Sequence, residues 1–231
     1  MKPMPEAEIY DLGLLYWPYR TTLEMVQLHA VWKAPQGGRL LDMMCGTGYL
    51  LGRIQERRPD LKLYGVDIDE RYVSHARAAY PEVTFDIGDV LEWKAALPYD
   101  MVVCAGSLHH VPYKQQEPAI ARIAEMVKRD GVAIISDCYV DDYSDEVARK
   151  LAAARLGYKY LRHTIAAGAP ESVISWTIDI LSNDVLMHEY KPSLRQRLPL
   201  IRKHFARVST TKTWPSVNDG YGEYVHICTF P

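Results

Sequence analysis

No stretch of this chain approaches the run of about 18 apolar residues that a membrane-spanning helix needs. Its opening, MKPMPEAEIYDLG, is acidic and proline-containing and lacks the basic start and apolar run of a secretory leader, so a cytoplasmic protein with no membrane partner is expected. An excess of positive charge is also missing. The 27 basic residues against 29 acidic ones leave a formal charge of −2 with no polybasic block, which argues against a nucleic-acid partner, because phosphate neutralisation dominates that kind of binding. Cysteine is scarce: Cys45, Cys104, Cys138 and Cys228 stand far apart, form no CxxC pair and mostly sit in apolar runs, the pattern of free, reduced thiols with no metal to hold. No GxSxG elbow occurs, which removes the hydrolases built on it. What remains is ordinary globular composition, 48% hydrophobic and 24% charged over 231 residues, enough for a single α/β domain spanning residues 1–231.

The stretch Arg39 to Ile54, RLLDMMCGTGYLLGRI, reads as strand, turn and helix. Leu40 and Leu41 form a short apolar strand, Asp42 closes it, Cys45-Gly46-Thr47-Gly48 turn the chain, and helical spacing resumes at Tyr49. Glycines there let backbone amides approach a ligand closely. The dinucleotide fingerprint is not met: counted from Gly46 the third place is Gly48, but the sixth is Leu51.

Ahead of it, YDLGLLYWPYR packs four aromatics into eleven positions, and Thr21 with Glu24 reads as a capping box for a helix that Pro35 to Gly38 stops. Residues 1–36 are thus an N-terminal lid and helix, with Tyr16 and Tyr19 either packed on the sheet or facing a cleft, where a tyrosine ring attracts a cation. LKLYGVDID is the second strand, and Asp67 at its end suits the two hydroxyls of a ribose, as in NAD sites and others. Ile68 is the apolar wall for an adenine, and Asp69 the N-cap of the next helix. VTFDIGDV is the third strand and MVVCA, ending at Ala105, the fourth. QQEPAIARIAEMVKRDG is a helix stopped by Gly131, and VAIISDCYV is the fifth strand. Residues 141–190 hold two helical patterns and no strand, a helical cap between strands five and six. Tyr139 at its root and Tyr143, Tyr158, Tyr160, His163 and Trp176 within it are the aromatic and histidine side chains for acceptor binding. KPSLRQRLPLIRKHF begins with proline in the first turn of a last helix whose basic residues face solvent. ARVSTTKTW and EYVHICTF are joined by a turn too short for a crossover and pair as a hairpin.

Asp42, the CGTG loop, the acids at successive strand ends and the LHH triplet after the fourth strand together resemble the class I S-adenosylmethionine-dependent methyltransferases, over roughly Asp42 to Phe230. The resemblance implies a Rossmann-like doubly wound sheet of five parallel strands with a C-terminal antiparallel hairpin, and S-adenosylmethionine as cofactor. It implies that Tyr16, Asp42, Cys45, Gly46, Thr47, Gly48, Asp67, Ile68, Asp89, Val90 and Ala105 hold that cofactor. His109 and His110 are the candidates for a general base, and Tyr19, Tyr139, Tyr143 and Trp176 for contacts to a small-molecule acceptor. The sequence departs from the family at Met44, where glycine or alanine is usual, and no NPPY-type tetrad marks amino methylation. Methyl transfer to O, N or C by orientation is the reading, acting as a monomer or homodimer. An NAD-dependent oxidoreductase and a non-catalytic binding module are the alternatives.

Overall fold

The computed structural model describes residues 5–186 and 189–230. A seven-stranded sheet organises them, with β1 (Arg39–Met43) near its centre, flanked by β2 (Lys62–Asp67) and β4 (Tyr99–Ala105). Beyond them lie β3 (Thr84–Ile87) on one side and β5 (Val127–Tyr139) on the other, all five parallel. β7 (Gly222–Thr229) runs antiparallel to β5, and β6 (Arg207–Trp214) closes the edge, giving the order β3-β2-β1-β4-β5-β7-β6. The Rossmann-like sheet with its terminal hairpin is therefore as expected.

Alternation along the strands sends side chains to two cores. Leu40, Met101, Val103 and Ile134 meet the face covered by α2 (Tyr19–Lys33), α3 (Tyr49–Arg57) and α4 (Glu70–Ala79). Leu41, Met43, Val102 and Ile135 meet the face covered by α5 (Tyr113–Glu125) and α8 (Leu194–His204). Each such fully buried aliphatic side chain contributes about 1.5–3 kcal/mol, so this pattern fixes strand register before any polar contact does.

The remaining helices build over the strands' carboxyl ends. α1 (Ala7–Gly13) precedes α2, and α6 (Glu146–Ala166) packs on α7 (Glu171–Val185) within the expected cap. Trp17 Nε1 donates to Thr177 Oγ1 at 2.9 Å across 160 residues of chain, tying the N-terminal segment to the cap in a buried contact. Among the described residues no helix is long and apolar enough to cross a membrane.

Four local expectations are corrected. Thr21 caps nothing: α2 starts two residues earlier, after Pro18, and Glu24 pairs with Arg20 at 2.9 Å. Gly131 does not end a helix, because α5 stops at Glu125 and the chain from Val127 already pairs with Tyr99 as strand, with a register shift before Met101. Pro192 lies outside α8, which Ser193 caps in a box with Gln196. Arg197 faces no solvent; it is fully buried and bonded to Asp137 at 3.1 Å. Asp69 does cap α4, accepting the Arg71 amide at 3.0 Å.

Candidate functional site

Parallel strands leave a crevice outside their carboxyl ends, and here it opens where β1, β2 and β4 finish. The loop after β1 takes left-handed backbone at alternate residues, with φ of 64° at Met44, 55° at Gly46 and 76° at Gly48. Glycine meets that demand at Gly48 twice over, since a Cβ there would lie 2.8 Å from the Phe85 ring. Asp67 braces the loop: its carboxylate accepts the Gly46 amide at 2.7 Å and the Asp69 amide at 2.9 Å. Thr47 donates to Asp11 of α1 at 2.5 Å, and Asp11 also meets His75 at 3.2 Å. Asp42 is buried, and its Oδ1 has no hydrogen-bond partner among the described residues. Burial, with the Asp67 charge added, pushes the Asp42 carboxyl well above the usual range.

The resulting cleft encloses about 360 Å³ and is lined by Asp42, Cys45, Gly46, Thr47, Asp67, Ile68 and Ala105, together with Tyr10, Met44 and Tyr49. Ile68 is 65% exposed at its lip, an apolar side chain left for a ligand to cover.

A second, smaller chamber of about 80 Å³ adjoins it, sharing Tyr10, Tyr19, Gly106 and His110. Its walls are Trp17 from the N-terminal segment and Tyr160, Trp176 and Thr177 from the cap. Its floor is a buried ionic network. His109 Nδ1 lies 2.5 Å from Asp137, which also binds Arg197, while His109 Nε2 lies 3.3 Å from Glu189. Lys191 Nζ donates to both oxygens of Asp184 at 2.6 and 2.7 Å and sits 3.1 Å from Glu189. Burial alone would push His109 toward neutrality. Cys138 and Asp137 act against it and hold its pKa well above the ordinary value. At neutral pH the carboxylate is the effective partner, because burial pushes the Cys138 thiol up to about 11. Asp137 in turn is held at about 2: burial opposes ionisation, but His109 and Arg197 outweigh it. His110 is the reverse case, lowered to about 4 by burial and by the His109 charge, and so neutral.

Several expected contacts are not in either cavity. Tyr16 packs against the core beside α2, and Tyr10 stands in the cleft instead. Asp89 does not line the cleft with Asp42 and Asp67; its carboxylate accepts the Leu91 amide at 2.8 Å, and Val90 is buried in the core on the far sheet face. Gly48 shapes the loop without lining the cleft. Tyr139 is fully buried, its hydroxyl 2.8 Å from His226 Nε2, so it belongs to the core. Tyr143 packs beyond the chamber against Tyr113, at 3.4 Å between hydroxyls. Tyr19 and Trp176 do line the chamber, as do His109 and His110. Sequence reasoning missed Tyr10, Asp184, Glu189, Lys191 and Glu223. Only Glu223 carried a local signal, as the acid in the apolar strand EYVHICTF.

Comparison with known proteins bears on this geometry. Residues 40–131 match the family described as "Methyltransferase domain". Trans-aconitate 2-methyltransferase of Acidovorax sp. (strain JS42) is 27% identical over 143 residues, 62% of this chain and 55% of that protein. dTDP-4-amino-2,3,4,6-tetradeoxy-D-glucose N,N-dimethyltransferase of Saccharopolyspora spinosa is 28% identical over 123 residues, 52% of this chain and 47% of that protein. The chain thus spans about half the length of the curated relatives it matches. In structure it is similar to the N-methyltransferase NodS of Bradyrhizobium japonicum WM9, solved with S-adenosyl-L-homocysteine, at a TM-score of 0.60, 13% identity and coverage of 92% and 86% of the two chains.

Proposed function

We propose that this chain is a class I methyltransferase, a reading its match to a methyltransferase domain at residues 40–131 and its fold support, and that it transfers a methyl group from S-adenosylmethionine to a small molecule seated in the aromatic chamber. The observation that carries this is the pairing of two cavities at His110. One is a glycine-loop cleft with an unpartnered buried carboxylate oxygen on Asp42, and the other is a chamber walled by aromatic rings. The two relatives act, by their names, on an acid and on an amino sugar, so they point to small acceptors without choosing between those chemistries. A chamber of only about 80 Å³ and a net charge of −2 favour such acceptors over nucleic acid. The setting is cytoplasmic and the active species a monomer or homodimer.

The residues fit the cofactor. Asp42 Oδ1 is a buried acceptor in need of a donor, Asp67 stands at the strand end suited to ribose hydroxyls, and the bends at 44, 46 and 48 leave backbone free to approach a ligand. Ile68 and Tyr10 supply apolar surface for a flat ring. When bound, S-adenosylmethionine supplies an electrophilic methyl carbon on a positively charged sulfur. Tyr10, Trp17 and Tyr19 exclude water between the cavities, and the Trp17–Thr177 bond keeps that wall against the cap. His109 is charged and engaged at both ring nitrogens, so it positions Asp137 and Glu189 and takes no proton. His110 is neutral but, at about 4, a weak base. Rate enhancement therefore rests mainly on orientation and on exclusion of water.

The test is calorimetric titration of the whole chain with S-adenosylhomocysteine and, separately, NADH, followed by incubation with methyl-labelled cofactor and a fractionated metabolite extract. Saturable S-adenosylhomocysteine binding and label in a small molecule are expected. NADH binding with no response to S-adenosylhomocysteine would overturn the reading.

A further inference from the structure

Glu223 lies on β7, opposite Cys138 of β5, and is 1% exposed. Its Oε1 accepts the Tyr160 hydroxyl at 2.8 Å, its Oε2 has no hydrogen-bond partner among the described residues, and the residue lines the chamber. The ionic groups around it do not balance. Among the described residues, Asp137, Asp184, Glu189 and Glu223 are four carboxylates, against three cations, His109, Lys191 and Arg197. His109 and Arg197 hold Asp137, Lys191 holds Asp184 and Glu189, and Glu223 is left with a neutral phenol. A buried carboxylate without a counter-charge is costly, and a ligand bearing one positive charge and N–H donors relieves that cost. The walls add to the preference, since Trp17, Tyr19, Tyr160 and Trp176 are the ring types that attract cations. An anionic acceptor meets the opposite condition, a second negative charge brought up to an unsatisfied first one. A metal ion at the adjoining His109, Asp137 and Cys138 is not called for, because Arg197 already neutralises Asp137.

Resting on the methyl-transfer reading, we propose that the acceptor is a small amine, that Glu223 anchors its ammonium group and receives the proton that frees the nitrogen lone pair, and that the product is the N-methylated amine. The ammonium gives one proton to the Glu223 carboxylate. The nitrogen lone pair then forms the new N–C bond while the S–C bonding pair returns to sulfur, leaving a neutral thioether and a methylated ammonium. Glu223 sheds its proton to solvent as product leaves, so one proton is released per methyl transferred. Glu223 suits the task better than either histidine. Burial raises its pKa to about 7, with Asp137 adding to the rise and Tyr160, His109 and Lys191 opposing it.

The whole chain, saturated with S-adenosylhomocysteine, is titrated at about pH 7.5 with benzylamine, benzyl alcohol and phenylacetate, probes that share one ring and differ in charge. Benzylamine is expected to bind roughly tenfold tighter than the other two, with the preference falling to about threefold or less in Glu223→Gln and S-adenosylhomocysteine affinity unchanged. Equal or weaker binding of benzylamine, or no binding of it, overturns the amine proposal while S-adenosylhomocysteine binding keeps the methyl-transfer reading. So does a preference that survives Glu223→Gln. Loss of S-adenosylhomocysteine binding by the wild type removes the underlying reading instead. Tyr160→Phe provides a second handle: without its donor the Glu223 carboxyl is a stronger proton acceptor, so the midpoint of the pH dependence of benzylamine binding moves upward, and an unmoved midpoint counts against Glu223.

Discussion

The two cavities that meet at His110 are held open in different ways. In the glycine-loop cleft the polar contacts are made largely to backbone: Asp67 grips two amides, and the loop geometry is set by three left-handed residues. In the aromatic chamber the contacts run side chain to side chain, three of them across 60 to 160 residues: Asp137–Arg197, Tyr160–Glu223 and Trp17–Thr177. A site braced by backbone survives many side-chain changes, whereas a buried ionic network fails when one member is removed, because the remaining charge stays buried. The chamber is therefore the part on which stability depends most steeply, and the cleft the part on which cofactor affinity depends.

The strongest challenge to that contrast is Arg197→Met. It leaves Asp137 with His109 as its one cationic partner among the described residues and Gln116 Oε1 without its 3.0 Å donor, at a cost of about 3–5 kcal/mol in urea unfolding. The wild type supplies a pH counterpart. The Asp137 carboxyl, at about 2, sits below its unfolded value near 3.9, so its contribution is in place above about pH 4 and is lost as pH falls toward 2. Arg197→Met is expected to flatten that acid limb. Asp67→Ala comes next and acts at the other end. S-adenosylhomocysteine affinity should fall by tenfold to a hundredfold, about 1.5–3 kcal/mol for charged hydrogen bonds, with a smaller loss of stability than Arg197→Met. Equal stability losses in the two variants would erase the distinction between the ends.

The same difference explains what could be read from the sequence. Asp42, Cys45, Gly46, Thr47, Asp67, Ile68 and Ala105 lie in the cleft because local pattern places strand ends and loops, and parallel strands bring those ends together. Asp89 obeyed the same pattern and still missed the cleft, because its carboxylate is used up capping its own turn at Leu91. In the chamber, helix existence was legible from spacing, but which helical residues face inward was not. Tyr139 and Tyr143 look no different in sequence from Tyr160, yet His226 captures the first and Tyr113 abuts the second. Arg197 reads as one of several basic residues on a surface helix, and it takes Asp137 on β5 and Gln116 on α5, both distant in sequence, to hold it inside.

A milder probe of the wall between the two ends is Trp17→Phe. It keeps ring volume near the chamber and removes the buried bond to Thr177, whose hydroxyl still donates to the Val173 carbonyl at 2.7 Å. The stability cost should be about 1 kcal/mol. Its kinetic signature sharpens the comparison: KM for the acceptor rises, while affinity for S-adenosylhomocysteine stays within about twofold, because Trp17 lines the chamber and not the cleft.

The smallest effect is expected at Met44→Gly, the position where the sequence departs from the family it resembles. At φ 64° a methionine carries the left-handed penalty of roughly 1–2 kcal/mol, and glycine removes it. Two terms work against the gain. Glycine adds about 0.5–1 kcal/mol of unfolded-state entropy, and the Met44 side chain packs against the core under β1 and β4, where its apolar contacts are lost. The balance should leave the unfolding free energy within about 0.5 kcal/mol of the wild type. Cofactor affinity should hold within about threefold, since the Ser107 hydroxyl bonds the residue-44 carbonyl and so fixes the loop from the backbone, whatever the side chain. A tenfold change in S-adenosylhomocysteine affinity would mean that the cleft, like the chamber, is governed by its side chains.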